Sequence, residues 1–579
     1  MPDSQNLARR IRSLLEAFVQ VPSHTGTSLE TDVDGFYQAW FDGTPYFRKH
    51  PDHCGLHPLP GDPLGRSVAW ALVRGEEPTP TVILIHHYDT ADVEDYGVLR
   101  AMAHDPATLT DRLAALAASG QADFPPEVAA DLASGDWLFG RGTCDMKGGG
   151  AIELALLEAY ADREDFRGSL LVLGLPDEEN LSAGMRGAIP LLHRLKERFG
   201  LDYRLMLNTE PHMRTEPATG AIYEGSMGKI MPVVYARGAA AHAGQVFNGL
   251  NPILLMAEIV KRTELNPALM EVSGGEATLP PTWLYLKDRK DYYDVSLPLA
   301  VAGYLNVLTL EASPQAYLER LRGLCAEAFG AVIRQMEESF REYRRLAGLA
   351  PARLPWRVDV RTYEEVEREA DRHAGAAYAA AKAARRAELQ AEIAAGSVSL
   401  AEASVGLVEL ALKHSGIDTP VVVLALSPPY YPSVSSRQVR SRRPSSGTDS
   451  FRSLASLAED LRRFAQAELG QDYTLVEYFS GLSDLSYAIC DFEPSVMDAT
   501  RAVMPLWGES YSIPFEQIRE LSVPVINVGP WGKDFHKKTE RVYLPDLLQR
   551  TPALVQEAIR LGLAQPAGDG AGPLESGEA

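Results

Sequence analysis

The sequence predicts an α/β fold, in which helices flank a mixed sheet and a smaller α+β lid domain is inserted into the main domain. Apolar runs at residues 82–85, 170–173 and 204–207 carry the first part of this prediction. Apart from Arg204 at the start of the third run, these residues are all apolar, which is typical of a strand that is buried on both faces. A helical pattern at residues 149–160 completes the strand and helix alternation that is typical of βαβ units.

Polar side chains follow each of these runs at the point where the predicted strand ends. His87 and Asp89 follow the first run, Asp177, Glu178 and Glu179 follow the second, and the third leads into Asn208-Thr209-Glu210. In open α/β sheets the ligand crevice lies outside the carboxyl ends of the strands, so we expect these side chains at one edge. Imidazoles and carboxylates that meet at one edge can hold metal ions.

The chain is long enough for more than one hydrophobic core, because it has 579 residues. We expect a catalytic domain in two parts, residues 1–212 and 416–564, that is interrupted by a lid or dimerisation-type domain at residues 213–415. Residues 565–579 are rich in glycine, proline and acidic side chains, which predicts a disordered tail.

Inside the predicted lid, the pattern indicates strands at residues 229–236 and 304–310 and helices at residues 251–263 and 314–349. Residues 364–395 are rich in alanine, glutamate, arginine and lysine, which favours a solvated helix with charge pairs four residues apart. The mixture of short strands and longer helices predicts an α+β domain.

Beyond the lid, strand character returns at residues 421–426, in the second part of the catalytic domain, and a strand at residues 523–528 is expected to complete the sheet of that domain. Helices at residues 451–469 and 547–561 would pack against that sheet. An arginine- and serine-rich stretch, residues 435–446, predicts a mobile loop.

The charge balance disfavours two classes of partner. The chain has 56 basic and 78 acidic residues and a net charge of −22, which disfavours binding to nucleic acid or to anionic membranes. We find no run of about 18 apolar residues, so no transmembrane helix is predicted. Residues 1–21 are amphipathic and predict a surface helix rather than a secretory signal.

The four cysteines are widely scattered, without a Cys-x-x-Cys motif, at Cys54, Cys144, Cys325 and Cys490. This spacing suggests neither a disulfide framework nor a thiolate zinc site. It favours a reducing compartment, and we expect a cytoplasmic protein.

Several polar and glycine-rich segments, taken in their order along the chain, resemble the motifs of one family. They are residues 87–89, 140–149, 177–179, 209–211, 238–244 and 481–484, and His536. In this order they resemble the M20 family of dinuclear zinc aminoacylases and peptidases, which implies a zinc-exopeptidase-like fold. The long insertion and residues 208–211 and 428–432 are most similar to the RocB branch of that family, which is associated with arginine utilisation.

The resemblance implies a site for two divalent metal ions, most often Zn²⁺. Asp145 would bridge the two ions. His87 and Glu210 would be the other ligands of one ion, and Glu179 and His536 those of the second. Some members of the family use an aspartate at the position of Glu210, and Asp202 lies upstream, but the order of the motif favours Glu210.

The resemblance also implies a general base, Glu178, and a supporting carboxylate, Asp89. Asp89 could turn back to the N–H of the His87 imidazole, which would fix the tautomer of that ligand. Neighbouring residues on a strand point to opposite faces, so we expect His86 to have a packing role. Lys147 and the glycines after it are expected to open a helix with an architectural role.

The lid and a loop near the metals supply the remaining candidates. His242 resembles the lid histidine that stabilises an oxyanion, often from a neighbouring subunit, and Asn251 resembles a lid asparagine. Ser483 and Asp484 match a loop on the substrate side. His242 could instead cap a loop, and residues 481–484 could be an ordinary helix cap. The Asp-x-Arg of the family's lid strand is missing from this sequence, which has Asn306-Val307-Leu308 there.

The resemblance therefore implies a hydrolase that cleaves an amide-type C–N bond of a small amino-acid derivative or a short peptide, with an arginine connection. An N-carbamoyl (ureido) amino-acid hydrolase would use similar metals and would release ammonia. A catalytically silent, metal-binding regulatory protein is the third hypothesis. A homodimer through the lid domain is compatible with the resemblance, whereas no nucleic acid and no membrane are expected as partners.

Overall fold

The computed structural model describes residues 4–214, 216–290, 292–442, 450–508 and 510–564. Within these residues the chain forms two compact units. The first unit contains the described parts of Met1–Ser226, Val434–Asp491 and Pro514–Ala579. The second unit contains those of Met227–Ser433 and Phe492–Ile513. The chain therefore leaves the first unit and returns to it twice.

The strands, in chain order, are β1 (Cys54–Pro58), β2 (Ser67–Arg74), β3 (Glu76–His87), β4 (Trp137–Phe139), β5 (Arg167–Leu175), β6 (Asp202–Asn208), β7 (Thr219–Tyr223), β8 (Gly225–Ser226), β9 (Gly228–Arg237), β10 (Val272–Ser273), β11 (Glu276–Ala277), β12 (Thr282–Asp288), β13 (Ala300–Thr309), β14 (Val360–Thr362), β15 (Val421–Tyr431), β16 (Val434–Ser435), β17 (Asp472–Val476), β18 (Val525–Asn527), β19 (Gly532–Lys533) and β20 (Arg541–Tyr543).

The α-helices, in chain order, are α1 (Ser4–Val19), α2 (Val33–Gly43), α3 (Pro45–Lys49), α4 (Pro106–Ala118), α5 (Pro126–Ser134), α6 (Lys147–Ala161), α7 (Ala183–Phe199), α8 (Pro252–Thr263), α9 (Pro314–Leu346), α10 (Tyr363–Ala374), α11 (Ala376–Ala394), α12 (Leu400–His414), α13 (Ser436–Arg442), α14 (Ser450–Ser453), α15 (Leu457–Phe464), α16 (Pro494–Ala502), α17 (Phe515–Leu521) and α18 (Thr551–Leu563). Among the residues that the structure describes, no helix has both the length and the apolar character needed to cross a bilayer.

The first unit is organised by an eight-stranded mixed sheet with the order β1-β2-β5-β3-β6-β18-β7-β17. β3 runs parallel to β5 on one side and to β6 on the other, whereas β1, β2 and β5 are joined in antiparallel pairs. The predicted buried parallel strands are thereby confirmed. Their carboxyl ends lie at one edge of the sheet, where the polar residues that follow them come together.

Helices cover both faces of this sheet. Val82 and Leu84 of β3 join a core cluster with side chains from α1, α2, α6, α15 and α18. Ile83 and Ile85 alternate with them and therefore face the other side, yet neither is exposed. α7 contacts β2 and β5 outside that cluster. The N-terminal amphipathic pattern becomes α1, whose apolar stripe, Ile11, Leu14, Leu15, Phe18 and Val19, is buried.

The second unit has its own five-stranded sheet with the order β12-β13-β9-β15-β14. All pairs are antiparallel except β14 with β15. Val233 of β9 and Val423 of β15 pack with side chains of α10 and α12, whereas α8 contacts β9 and β13. This architecture agrees with the predicted α+β lid, and together the two units confirm the predicted fold class.

One expected strand lies in the other sheet. Residues 421–426 form the first part of β15, but β15 pairs with β9 and β14 of the second unit. The prediction that this run belongs to the catalytic domain was wrong, because an apolar run identifies a buried strand and not its partner. The lid was placed at residues 213–415, whereas the second unit begins at Met227 and continues to Ser433.

Several segments differ from the expected local structure. The predicted helix at residues 364–395 is two helices, which Gly375 separates with a φ of 50°. The expected mobile loop at residues 435–446 is helical as α13 up to Arg442, because Val439 is buried and Arg440 pairs with Glu224. Residues 443–446 and the predicted disordered tail lie outside the described residues.

Candidate metal and catalytic site

The site is built at the edge of the first sheet, where β3 and β6 end. The last residue of β3, His87, is buried, and its Nδ1 donates a hydrogen bond to the backbone carbonyl of Asp89 at 2.9 Å. Its Nε2 therefore carries the lone pair in the neutral ring. That atom lies 3.2 Å from Oδ1 of Asp145 and 3.3 Å from Oε1 of Glu210.

A second imidazole approaches the same aspartate from the other side. Nε2 of His536 lies 3.1 Å from Oδ2 of Asp145 and 2.8 Å from Oε1 of Glu179. One carboxylate oxygen of Asp145 thus faces each imidazole. This is the arrangement that a bridging carboxylate between two metal ions requires, although His536 itself is exposed.

The donor set fits two divalent cations. In the described part of the chain, ligand atoms of His87, Glu178 and Glu210 lie within 4.8 Å of one another, and so do those of His87, Asp145 and Glu179. A carboxylate oxygen and an imidazole lone pair are both hydrogen-bond acceptors, so they need a proton or a cation between them. Nitrogen and oxygen donors in this number are typical of zinc sites.

Electrostatics also favour a cation here. Burial raises the pKa of the Glu210 carboxyl to about 7 and raises the pKa of Glu178 well above its ordinary range. Burial alone would lower the pKa of the His87 imidazole, but the Glu210 and Asp145 carboxylates raise it well above its usual value. The cluster therefore stabilises positive charge, either as protons or as metal ions.

Asp89 holds the turn that carries the two adjacent glutamates. Its carboxylate accepts the backbone N–H of Glu178 at 3.0 Å and that of Glu179 at 3.2 Å, and the hydroxyl of Thr25 at 2.9 Å. The imidazole of His87 is held by the backbone carbonyl of Asp89, while the nearer carboxylate oxygen is 3.5 Å away. Asp89 therefore supports His87 as expected, but through its main chain.

A buried ion cluster fixes the start of the same turn. Arg66 donates to Glu30 at 3.0 Å, to Asp177 at 2.6 Å and to Asp62 at 2.7 Å, and all four side chains are buried. Glu30 in turn accepts the backbone N–H of Asp177 at 3.0 Å. Asp177 has a φ of 68°, a left-handed conformation that needs support from its surroundings. Arg66 thus holds the residue before Glu178.

A second buried pair fixes the loop before Asp145. Glu540 accepts hydrogen bonds from the guanidinium of Arg141 at 2.6 Å and from the backbone N–H of Gly142 at 2.7 Å. Neither Arg66 nor Glu540 is among the residues predicted from the sequence. The spacing of Asp62 and Arg66 is the one local signal, since Glu540 lies nearly 400 positions from its partners.

Behind the site, a buried hydrogen-bond chain joins β3 to the end of β6. The imidazole of His86 is hydrogen-bonded to the hydroxyl of Tyr37 and to the carboxylate of Glu153, each at 2.7 Å. The hydroxyl of Thr209 donates to the same carboxylate at 2.8 Å. His86 therefore points away from His87 and has a positioning role in addition to packing.

Lys147 has the architectural role that its place at the start of α6 suggested. The buried ammonium group donates to the carbonyls of Phe18 at 3.2 Å and Val21 at 2.6 Å, which ties α6 to the end of α1. Burial lowers the pKa of this amine to about 7.

Ser483 and Asp484 lie in the first unit, at the start of a short 3₁₀ helix, Asp484–Tyr487. The Ser483 hydroxyl oxygen accepts hydrogen bonds from the side-chain amide of Asn208 at 3.0 Å and from the backbone N–H of Leu485 at 3.2 Å. Ser483 is therefore a cap that is also tied to the end of β6. Asp484 is 2% exposed, and burial raises its pKa to about 7.

The alternative metal ligand is not part of this cluster. Asp202 lies at the opposite end of β6 from Glu210 and pairs with Arg204 at 2.6 Å. Glu210 approaches His87 instead, as the order of the motif predicts.

With this geometry described, comparison with known proteins identifies the family. The model of Peptidase family M20/M25/M40 matches residues 119–556. The chain belongs to this family. The resemblance seen in the sequence is thereby confirmed, and so is the prediction of an enzyme with the fold of M20 metallopeptidases.

Two proteins of Bacillus subtilis (strain 168) are similar to this M20 chain along nearly its whole length. Uncharacterized protein YqjN is 34% identical over 555 residues, which is 96% of each chain. Protein RocB is 28% identical over 556 residues, 95% of this chain and 94% of RocB. Among solved structures, the Bacillus subtilis YXEP protein, described as a dinuclear metal binding peptidase from the M20 family, is 11% identical with a TM-score of 0.48 and covers 96% of this chain and 98% of its own.

The two lid candidates lie in the second unit of this M20 protein. His242 is exposed, and its Nδ1 accepts the backbone N–H of Gly244 at 3.0 Å, so its Nε2 carries the proton in the neutral ring. The side chain of Asn251 accepts the N–H of Ile253 at 2.9 Å and caps α8. Both residues are local caps, and each keeps an N–H donor group that these hydrogen bonds do not use.

Proposed function

We propose that this M20 protein is a metal-dependent hydrolase that cleaves an amide-type C–N bond of a small amino-acid derivative or short peptide. The observation that carries this proposal is the position of Glu178, a buried carboxyl beside the cluster of His87, Asp145 and Glu210. A protein that only binds metal has no need for an additional carboxylate at this place. The geometry therefore favours catalysis over a silent metal-binding role.

The proposed metal ligands are His87, Asp145, Glu179, Glu210 and His536, with Asp145 shared between two ions. Two Zn²⁺ ions at such a site would polarise the substrate carbonyl and lower the pKa of an attacking water. Three carboxylates among the ligands offset most of the charge of two such ions. We propose zinc as the metal, because imidazole and carboxylate groups are both common ligands of zinc.

Glu178 is the proposed general base and acid. The raised pKa of its carboxyl suits a group that takes a proton from water and returns it to the leaving nitrogen. The hydrogen bonds from the Glu178 and Glu179 N–H groups to Asp89 would keep the two side chains in their separate roles.

His242 is the proposed oxyanion donor, through its Nε2–H. In other enzymes, a hydrogen-bond donor that faces the developing negative charge lowers the activation free energy by about 2.7–4 kcal/mol. Asn251, Ser483 and Asp484 are the proposed substrate-binding residues.

The likeness to RocB favours an N-substituted basic amino acid and a place in arginine catabolism. The wide spacing of the four cysteines, without a Cys-x-x-Cys motif, supports a cytoplasmic location.

The decisive experiment is Glu178→Ala, with metal content and turnover measured on the same preparation. We expect both metal ions to be retained and turnover to fall by about 10²–10⁴-fold, because the proton transfer is lost while the ligands remain. Glu197→Ala, an exposed glutamate on α7, is the matched control and should behave as wild type. Removal of metal with a chelator should abolish turnover, and added Zn²⁺ should restore it.

The substrate panel for this experiment contains N-acyl amino acids, N-carbamoyl amino acids and dipeptides. Release of ammonia from the carbamoyl compounds alone would favour the ureido hydrolase instead. Undiminished activity of Glu178→Ala on the preferred substrate would refute the proposed base. A metal-loaded wild type that cleaves none of the three classes would favour the regulatory hypothesis.

We also propose that the second unit pairs with a second copy of the chain. β12 is an edge strand of its sheet, and its exposed side chains include two leucines, Leu284 and Leu286. An apolar edge strand is a template for pairing with another chain. A homodimer that joins two β12 edges would cover these side chains.

Sedimentation velocity tests the homodimer. Wild type should sediment as a dimer, and the double variant Leu284→Lys, Leu286→Lys as a monomer, because lysine on an edge strand opposes pairing. Leu346→Lys, at an exposed leucine near the end of α9, is the control and should remain dimeric. A monomeric wild type contradicts the proposal. In a proven dimer, rescue on mixing Glu178→Ala with His242→Ala would show that His242 acts on the partner's site.

A further inference from the structure

We infer that Asp484 binds a cationic group of the substrate, so that the amides cleaved at this site carry a guanidinium or an ammonium group. The inference rests on the proposed function and names the substrate class of the same site. It concerns a residue for which neither metal binding nor the fold gives a use.

Asp484 is held close to the proposed metal ligands. The preceding residue, Ser483, is hydrogen-bonded to the side chain of Asn208, two positions before Glu210. The charge of Asp484 acts on both Glu178 and Glu210. All of these residues belong to the first unit, so the placement depends on one sheet and the short helix beside it.

Asp484 is buried without an ionic partner of its own. Its side chain lies against the Ser182 hydroxyl, and no lysine or arginine among the described residues forms an ion pair with it. It also stands outside both groups of potential metal ligands found among the described residues. A buried carboxylate costs free energy unless a cation or several donors compensate it.

Most of the other carboxylates of the site have a compensating partner. Arg66 pairs with Asp177, three hydrogen-bond donors reach Asp89, and the proposed metal ions would neutralise the ligand carboxylates. The charge of Asp484 is left over after these pairings. A substrate with a positive charge at this place would neutralise the Asp484 carboxylate, whereas a neutral substrate would bury that carboxylate further without a counter-charge.

Matched substrate pairs test this inference. N-acetyl-L-arginine and N-acetyl-L-citrulline differ in the charge of the side chain, and Ala-Ala and N-acetyl-Ala-Ala differ in the charge of the α-amino group. The wild type should prefer the charged member of one pair by about 10- to 100-fold in kcat/KM, which is the range expected for a hydrogen bond to a charged group. The pair that shows the preference identifies the source of the charge.

Asp484→Asn should remove this preference selectively. We expect kcat/KM for the cationic substrate to fall about 10- to 100-fold more than kcat/KM for its neutral counterpart. Metal content should stay at the wild-type value. Asp491→Asn, at an exposed aspartate in the same segment, is the control and should keep the preference.

Ligand binding to the metal-loaded wild type gives a second readout that needs no variant. L-arginine or agmatine should bind or inhibit at least tenfold more tightly than L-citrulline, or, if the second pair decides, Ala-Ala should compete better than its acetylated form. Equal treatment of charged and neutral ligands by the wild type overturns the inference, and so does an equal loss for both in Asp484→Asn. If no amide is cleaved, the proposed function fails, while these binding measurements still decide the role of Asp484.

Discussion

The two units of this protein bury different kinds of side chain. Around its sheet edge the first unit buries charged and titratable groups, which include Arg66, His86, Asp89, Lys147, Glu153, Asp177, Glu178, Glu210, Asp484 and Glu540. The buried polar groups of the second unit, within the described residues, are mostly serine and threonine hydroxyls. Its charged side chains tend to remain half-exposed, as in the pairing of Arg289 with Glu409.

This difference indicates that the first unit holds the proposed ligands and base in position, whereas the second unit depends on the packing of apolar side chains. A buried charge costs several kcal/mol unless it is paired, so a chain keeps many of them only where geometry depends on them. In the first unit the buried charges support the turns that carry the proposed ligands and the base. The second unit obtains its stability from apolar contacts between two helical layers and a sheet.

The largest effect on stability is expected from Arg66→Met. This change leaves Glu30 and Asp177 buried without their cation and should cost about 3–5 kcal/mol in the free energy of unfolding, measured by urea denaturation. Hydrolysis should also fall, because the turn before Glu178 loses its anchor. Arg167→Met, at an exposed arginine of the same unit, should cost less than about 1 kcal/mol. A cost for Arg66→Met below that of the control would break the comparison.

A smaller loss is expected in the second unit, from Leu412→Ala. Leu412 is buried in the cluster between α12 and β15, and removing its side chain should cost about 3 kcal/mol through lost burial and a cavity. Hydrogen exchange in α12 and β15 should speed up accordingly. Leu346→Ala, at a leucine that is 70% exposed, should change the unfolding free energy by less than about 0.5 kcal/mol. Equal costs for the two leucines would contradict an apolar source of stability.

The smallest effect is a pH dependence from two histidines of the first unit. His24 and His104 share one hydrogen bond of 3.1 Å between their Nε2 atoms, and burial lowers the pKa of both, that of His104 to about 3. The folded state thus binds fewer protons than the unfolded chain, where histidine titrates near 6.5. This contribution to stability is complete above pH 6.5 and is lost as the pH falls from 6.5 towards 3.

Urea unfolding at pH 7.0 and pH 5.5 measures this term. Wild type should lose up to about 1 kcal/mol more than His104→Gln over this interval, because the variant has no imidazole to protonate. His373→Gln, at an exposed histidine of the second unit, is the control and should keep the wild-type slope. If the unfolding free energy of His104→Gln changes with pH as much as that of wild type, the proposed contribution of these histidines is contradicted.

Local patterns were sufficient for the parts of the fold that depend on local signals. The runs at residues 82–85, 170–173 and 204–207 became parallel neighbours, and the polar residues after them met at one edge. The order of the motifs was enough to name the family. Motif order also predicted that Glu210, and not Asp202, lies beside His87, because only Glu210 follows the end of β6.

Choices between equivalent partners could not be predicted. The apolar pattern of β15 is compatible with a buried strand in either sheet. Its pairing with β9 depends on tertiary contacts that the local pattern does not contain. Arg66 and Glu540 resemble many other charged residues until distant loops bring their partners to them. Nothing in the local pattern distinguishes such residues from surface charges.

The sequence by itself determined which segments become buried strands and helices, which polar residues stand at the strand ends, and to which family the chain belongs. Side-chain hydrophobicity and motif order along the chain are enough for these properties. The tertiary structure alone decided which sheet each strand joins and which charged side chains are buried as supports. Those outcomes depend on contacts between residues that are hundreds of positions apart, and on the free energy of burying charge, which is defined only in the folded protein.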